Sequence, residues 1–169
     1  MQIARALGAE VTAVCSTRNQ DMVRSLGADT VIDYLKEDFT RGSQQYDLLI
    51  DVAGSHPLSA CRRVIKPGGT FVGVGMAAIQ NKSAGSFRVL GRLLSTGISS
   101  RMGKQKVVVL FIAALNKEDM AFLGELVESG KVVPYIERRY DLAGAPEALA
   151  YINEGHARAK VAIRIAGDD

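Results

Sequence analysis

The side chains able to do chemistry are few. The 169 residues include two histidines, His56 and His156, and two cysteines, Cys15 and Cys61. Their separations match no metal-binding spacing, and neither CxxC nor HExxH occurs. No Gly-x-Ser-x-Gly turn is present to expose a serine nucleophile. His56, just before Pro57, reads as a helix-start residue rather than a base, and the cysteines read as small buried hydrophobes. Two stretches bear instead on the holding of a nucleotide, the first of them a decoy. Gly73-Val74-Gly75-Met76-Ala77-Ala78 formally satisfies G-x-G-x-x-A after a strand. However, Met76 to Gly85 makes a poor helix and no acid follows about 20 positions on, so the stretch reads as a tight strand end. The second stretch is Val14-Cys15-Ser16-Thr17-Arg18-Asn19. An NAD-binding fold places an acid at such a strand end, to bind the ribose hydroxyls. Here two hydroxyls and a guanidinium stand instead, which suit a 2′-phosphate by charge and bidentate donation. The same residues also suit an ordinary strand-to-helix loop, where Ser, Thr and Asn are caps.

The elements that must position these residues repeat as strand, turn and helix. Glu10 to Cys15 is a β-branched strand following Gly8, a helix C-cap. Asn19 to Leu26 fits a short helix ended by Gly27, and Asp29 to Tyr34 fits a second strand. Tyr46 to Ala53 is a near-continuous apolar run, the pattern of a parallel strand buried on both faces. Ser55 or His56 caps a helix with Pro57 in its first turn, running to Ile65 and stopped by Lys66-Pro67-Gly68-Gly69. Thr70 to Val74 is the next strand, Phe87 to Leu94 a helix and Val107 to Ala113 another strand. Lys117 to Ser129 is a helix capped by Asn116 and ended by Gly130. The tail reads strand (Val132 to Arg138), helix (Ala145 to Glu154) and strand (Lys160 to Ile165). Alternation at this spacing predicts an α/β fold, a Rossmann-like, doubly wound, mainly parallel sheet.

Composition agrees with one domain. Hydrophobic residues make up 47% and charged residues 23%, and the net charge is only +3, which excludes a disordered chain. The 21 Lys and Arg are scattered, with no Trp and few aromatics, so nucleic acid is not an expected partner. No apolar run reaches the roughly 18 residues of a membrane span, and the opening residues resemble neither a signal nor a transit peptide. Two cysteines far apart fit free thiols in a reducing compartment, and the chain is expected in the cytoplasm.

The order of the pieces resembles a known family. Ala4-Arg5-Ala6-Leu7-Gly8-Ala9-Glu10-Val11, Ser25-Leu26-Gly27-Ala28-Asp29 and Val31-Ile32-Asp33-Tyr34 are similar to the medium-chain dehydrogenase/reductases, in particular the zinc-free, quinone-oxidoreductase-like branch. Tyr46 through Gly54, Val64-Ile65-Lys66-Pro67-Gly68-Gly69-Thr70 and Gly73-Val74-Gly75 continue the match. So do Leu126 to Pro134, Ala145-Pro146-Glu147-Ala148 and Gly155 to Val161, with Ala159 standing where the family usually has Gly. The resemblance implies NADP(H) as cofactor. It puts Ser16, Thr17 and Arg18 at the 2′-phosphate, joined by Tyr34. It puts Val52, Ala53 and Gly54 beside the adenosine ribose and pyrophosphate, and Gly73, Val74 and Gly75 near the nicotinamide ribose. Phe111 and Ile112 fall where the family lines the nicotinamide, and Arg158 and Lys160 lie in a closing segment that reaches the cofactor. In this branch the cofactor carries the hydride and the protein supplies a pocket for an enone, quinone or aldehyde; no dedicated catalytic residue is implied.

Against the family pattern, residues 2–7 match the second half of the first Rossmann helix. The expectation is therefore a single incomplete cofactor-binding domain over 1–169, without the first strand, the glycine-rich turn and the catalytic domain. Residues 131–169 form the tail that packs on that domain in the family. Strands Glu10 to Cys15 and Asp47 to Ala53 then flank a missing central strand, an invitation to pair. The gap could be met by direct pairing of the two, by a second copy or by a separate catalytic-domain chain. A homodimer with an apolar interface is expected, and sedimentation showing a stable monomer at micromolar concentration would exclude it. The expected function is the cofactor-binding portion of an NADPH-dependent oxidoreductase with weak or no activity and weak or lost cofactor binding alone. The alternatives are a non-catalytic dimeric remnant or a subunit completed by another chain.

Overall fold

Two glycines set the first two helix ends. The computed structural model describes residues 1–74, 105–110, 116–155 and 157–165, which fall into two compact units, residues 1–33 with 117–169 and residues 34–116. In the first unit, helix α1 (Gln2–Ala6) closes where Gly8 takes φ +84, Gly8 N–H donating to Arg5 C=O and Ala9 N–H to Ala4 C=O. Helix α2 (Gln20–Ser25) ends identically at Gly27, φ +95. Both are Schellman closures, which need a left-handed residue that a Cβ would strain. Strand β1 (Thr12–Cys15) pairs in parallel with β2 (Thr30–Asp33), in the register Thr12↔Thr30 to Cys15↔Asp33. Asp29, at the foot of β2, accepts from Val11 N–H and pairs with the Arg5 guanidinium, which fixes α1 to this ladder.

The same unit continues with α4 (Lys117–Glu128), β6 (Ile136–Asp141), α5 (Ala145–Asn153) and β7 (Lys160–Arg164). Strands β6 and β7 are also parallel. The sequence predicts the first of them from Val132, four residues earlier than it forms. The backbone donors explain the shift. Val132 N–H closes the α4 end on Leu126 C=O, Val133 N–H donates to the Gln2 side chain, and Pro134 has no N–H. A ladder cannot start before those donors run out.

The second unit is a three-stranded parallel sheet in the order β3-β4-β5, formed by β3 (Tyr46–Asp51), β4 (Ile65–Val74) and β5 (Lys106–Leu110), with α3 (Leu58–Arg63) packed on it. Leu49, Phe71 and Val107 lie opposite one another in register and share a face. On that face Cys61, Ile65 and Phe71, all under 9% exposed, form a core joined by Phe39 and Leu58. The other face is bare: Leu48 and Ile50 are 52% and 56% exposed. The expectation of a strand at 46–53 buried on both faces is thus corrected, because α3 and the 39–41 turn cover one face only. Lys66-Pro67-Gly68-Gly69 falls inside β4, yet the register jumps there from Tyr46↔Ile65 to Leu48↔Thr70, so these residues bulge out as the predicted turn. Helix α3 has Pro57 at its N-cap, without a side-chain cap from Ser55 or His56.

Among the described residues every strand pairing is parallel, as the alternation of elements predicts, and the strands form three sheets. Among the described residues β1 pairs with β2 in the first unit, and β3 pairs with β4 in the second. The helix predicted at 87–94 lies outside the described residues.

Candidate functional site

In parallel α/β sheets ligands meet the carboxyl ends of the strands, and Ser16, Thr17 and Arg18 follow β1 in the first unit while Val52, Ala53 and Gly54 follow β3 in the second. At the end of β1, Ser16 is extended (φ −78, ψ 159) and Thr17–Asn19 form a 3₁₀ turn closed by Asn19 N–H donating to Ser16 C=O. Among the described residues neither the Ser16 hydroxyl nor the Arg18 guanidinium has a side-chain partner. Thr17 differs. Its hydroxyl donates to Asp33 Oδ2 at 2.5 Å, and Gln20 Nε2 donates to the same oxygen at 3.0 Å. Asp33 is 7% exposed and ends β2 beside Cys15. The turn carries no acid of its own, but its neighbour strand brings one against it. Burial, and then the Asp33 charge, push the Cys15 thiol above its ordinary range. Tyr34 follows directly on β2 but belongs to the second unit, where it is 55% exposed.

In the second unit, Asp51 ends β3 opposite Gly73 on β4, which brings the loop of residues 52–54 and the residues Gly73 and Val74 to one sheet end. Asp51 Oδ1 accepts from Ala53 N–H at 3.1 Å and Gly54 N–H at 2.8 Å, with Gly54 at φ +62. These two amides are spent on the strand's own carboxylate. Val52 is 63% exposed. The next residues make a short line: Ser55 Oγ lies 3.0 Å from His56 Nδ1, and His56 Nε2 lies 3.3 Å from Asp38 Oδ1. Asp38 also accepts from Thr40 N–H and Oγ1 and pairs with Arg41, while Phe39 meets the imidazole edge-on at 5.0 Å. With the amides of 53 and 54 engaged, neither serves as an oxyanion donor, and the line holds the loop rather than activating Ser55. Gly75, Phe111 and Ile112 lie outside the described residues, as does His156.

Arg158, just before β7, and Lys160, its first residue, line an open hollow of about 450 Å³ together with Pro134 and Tyr135. Glu137 on β6 organises this segment. Its carboxylate accepts from Arg158 N–H (2.7 Å), Arg158 Nε (2.9 Å), Ala159 N–H (3.2 Å) and Tyr151 Oη (3.0 Å). The Arg138 guanidinium stacks over the Tyr151 ring at 3.8 Å. Arg158, through its side chain and then its backbone, holds the Glu137 carboxyl down at about 2, against an ordinary 4.5. A depressed carboxylate stabilises the fold above its unfolded pKa and loses that contribution as pH falls from about 4.5 towards 2. Urea midpoints measured at pH 6, 4 and 3 should therefore fall more steeply for the natural chain than for Glu137→Gln; equal slopes would refute the role given to this carboxylate.

Asp33, Asp51 and Glu137 carry no ligand-binding signature in the sequence, yet each holds a predicted segment in place. Among the described residues no group of three His, Cys, Asp or Glu could hold a metal ion. No helix of the described residues is long and apolar enough to cross a membrane. A phosphate-bearing ligand suits the donors that are present. The unspent donors at the end of β1 are a hydroxyl and a guanidinium, the set that a phosphate requires.

Comparison with known proteins agrees. A family model described as zinc-binding dehydrogenase matches residues 26–163. The chain is 30% identical over 178 residues to the NAD(P)H oxidoreductase RTN4IP1, mitochondrial, of Mus musculus, covering 98% of this chain and 44% of that protein. It is 32% identical over 173 residues to the trans-enoyl reductase pgmF of Aspergillus terreus, covering 98% and 47%. The quinone oxidoreductase structure from Coxiella burnetii superposes with a TM-score of 0.71 at 26% identity, over 98% of this chain and 48% of that one. The chain spans about half the length of the curated relatives it matches. By the extent of the family match and by its Rossmann-type parallel α/β fold, the chain belongs to the zinc-binding dehydrogenase family of the medium-chain dehydrogenase/reductases.

Proposed function

We propose that this chain is the cofactor-binding portion of an NADPH-dependent oxidoreductase that reduces a quinone, enone or aldehyde. The observation that carries the proposal is the pair of unspent donors, the Ser16 hydroxyl and the Arg18 guanidinium, at the carboxyl end of β1. Their chemistry favours a 2′-phosphate over a bare ribose diol. The names of the relatives support a nicotinamide cofactor without choosing between its two forms. When bound, the cofactor supplies the hydride. In the first unit Ser16 and Arg18 would take the 2′-phosphate, and the Glu137-held segment carries Arg158 and Lys160; in the second unit Tyr34 and the loop of residues 52–54 are the residues that the family resemblance assigns to the cofactor. Because Ala53 and Gly54 N–H are engaged by Asp51, the loop contributes contact rather than those amides.

The test is a fluorescence titration with NADPH and NADH. Arg18→Ala should weaken NADPH binding about tenfold or more, the value of a lost charge-assisted pair, and leave NADH unchanged. Equal affinity for both cofactors, or equal loss of both, would overturn the NADPH assignment. The same reading includes a homodimer, supported by the exposed Leu48, Ile50 and Val52 of the second unit and by β1 and β3 each having one paired edge among the described residues. It also includes a reducing, cytoplasmic setting, supported by Cys15 and Cys61 being thiols rather than a disulfide.

A further inference from the structure

In NAD-binding relatives of this fold an acid at the strand end takes the ribose diol. Here an acid is present at the turn but occupied. Asp33 reaches the turn from the neighbouring strand, and its Oδ2 accepts both the Thr17 hydroxyl proton and a Gln20 amide proton. A carboxylate only 7% exposed must be satisfied by donors, and these two come from the turn that would meet the cofactor and from the first residue of α2 behind it. A hydroxyl has one proton. Thr17 therefore has none left for a phosphate, and the reading of two donor hydroxyls at this turn reduces to one, that of Ser16.

We propose that Thr17, with Gln20, determines cofactor choice by sequestering the Asp33 carboxylate. With both donors in place the turn meets its ligand through Ser16 and Arg18 and takes a 2′-phosphate. Without the Thr17 hydroxyl, the Asp33 carboxylate loses one of its donors, and its charge, less covered on the side of the turn, repels that phosphate and favours a ribose diol. Thr17 and Asp33 are thus positioning and specificity residues acting behind the ligand-facing pair.

This inference rests on the proposed cofactor site, and the test separates the two. Calorimetric titration with 2′,5′-ADP and with 5′-AMP isolates the 2′-phosphate, without any turnover. The natural chain should prefer 2′,5′-ADP, and Arg18→Ala should lose that preference. Thr17→Val should lower the ratio of the two affinities about tenfold, as an uncovered charge near a phosphate would. Thr17→Ser should keep the ratio, and Asp33→Asn added to Thr17→Val should restore it. Loss of preference in Arg18→Ala with none in Thr17→Val overturns the inference and leaves the cofactor site standing. An equal loss of both ligands in Thr17→Val also overturns it, because a merely structural role moves both alike. No binding of either nucleotide by the natural chain overturns the cofactor site and the inference together.

Discussion

Phe71→Ala should destabilise the β3-β4-β5 unit by about 3–5 kcal/mol. Phe71 is 7% exposed and stands at the centre of the register row Leu49, Phe71, Val107. Cys61 and Ile65 close the same cluster, both at or below 2% exposure. Truncation removes the transfer free energy of the ring and leaves a cavity that strands on both sides and α3 cannot collapse together to fill. With a urea m-value of about 2 kcal/mol/M, the midpoint should fall by about 2 M. Ile50→Ala is the internal comparison. Ile50 is one residue along β3 from Leu49 but points to the opposite face, where it is 56% exposed, so it has little burial to lose. A similar cost for the two substitutions would show that the α3 face is not the core of this unit.

That contrast marks what can be read from the residues alone. The run from Tyr46 to Ala53 announces a strand, and Tyr46–Asp51 is one. The run does not say how many of its faces will find a partner, because continuous apolarity fits two covered faces and also one covered and one bare. Helix ends were legible where the signal is local. Gly8 and Gly27 close helices because only a few atoms of their own turn decide it. The beginning of β6 was not, since the donors of residues 132 and 133 go to Leu126 and Gln2, the second 131 positions away. The site follows the same division. Ser16, Thr17 and Arg18 are legible as a polar turn at a strand end because they are consecutive. The carboxylates that support the predicted segments, Asp33 behind Thr17 and Glu137 behind Arg158, come from 16 and 21 residues away. Sequence places each only as a strand residue. Their roles exist once the parallel ladders set Cys15 opposite Asp33 and β6 beside β7.

Gly69→Ala should cost about 1–3 kcal/mol and also disturb the candidate site, whereas Gly68→Ala should cost only about 1 kcal/mol. The neighbouring glycines are needed for different reasons. Gly68 has φ +84 with nothing within 4 Å of the position a Cβ would take, so its substitution meets a backbone penalty in open space. At Gly69 a Cβ would lie 2.7 Å from Ile65 Cγ2, 2.9 Å from Asp47 O and 3.0 Å from Lys66 O. Two of these are backbone oxygens of the strand pair and cannot rotate away. Relief requires β4 to move against β3 at the bulge where the register already jumps. The same two strands set Asp51 opposite Gly73, and Asp51 holds the amides of Ala53 and Gly54. A shift at Gly69 is therefore carried along a rigid ladder to the loop of residues 52–54, while strain at Gly68 can relax into solvent. Amide exchange should separate the two: Gly69→Ala should speed exchange at Ala53 and Gly54 as well as near the bulge, and Gly68→Ala should leave Ala53 and Gly54 protected. Unchanged protection at both loop amides in Gly69→Ala would mean that the bulge and the sheet end are mechanically independent.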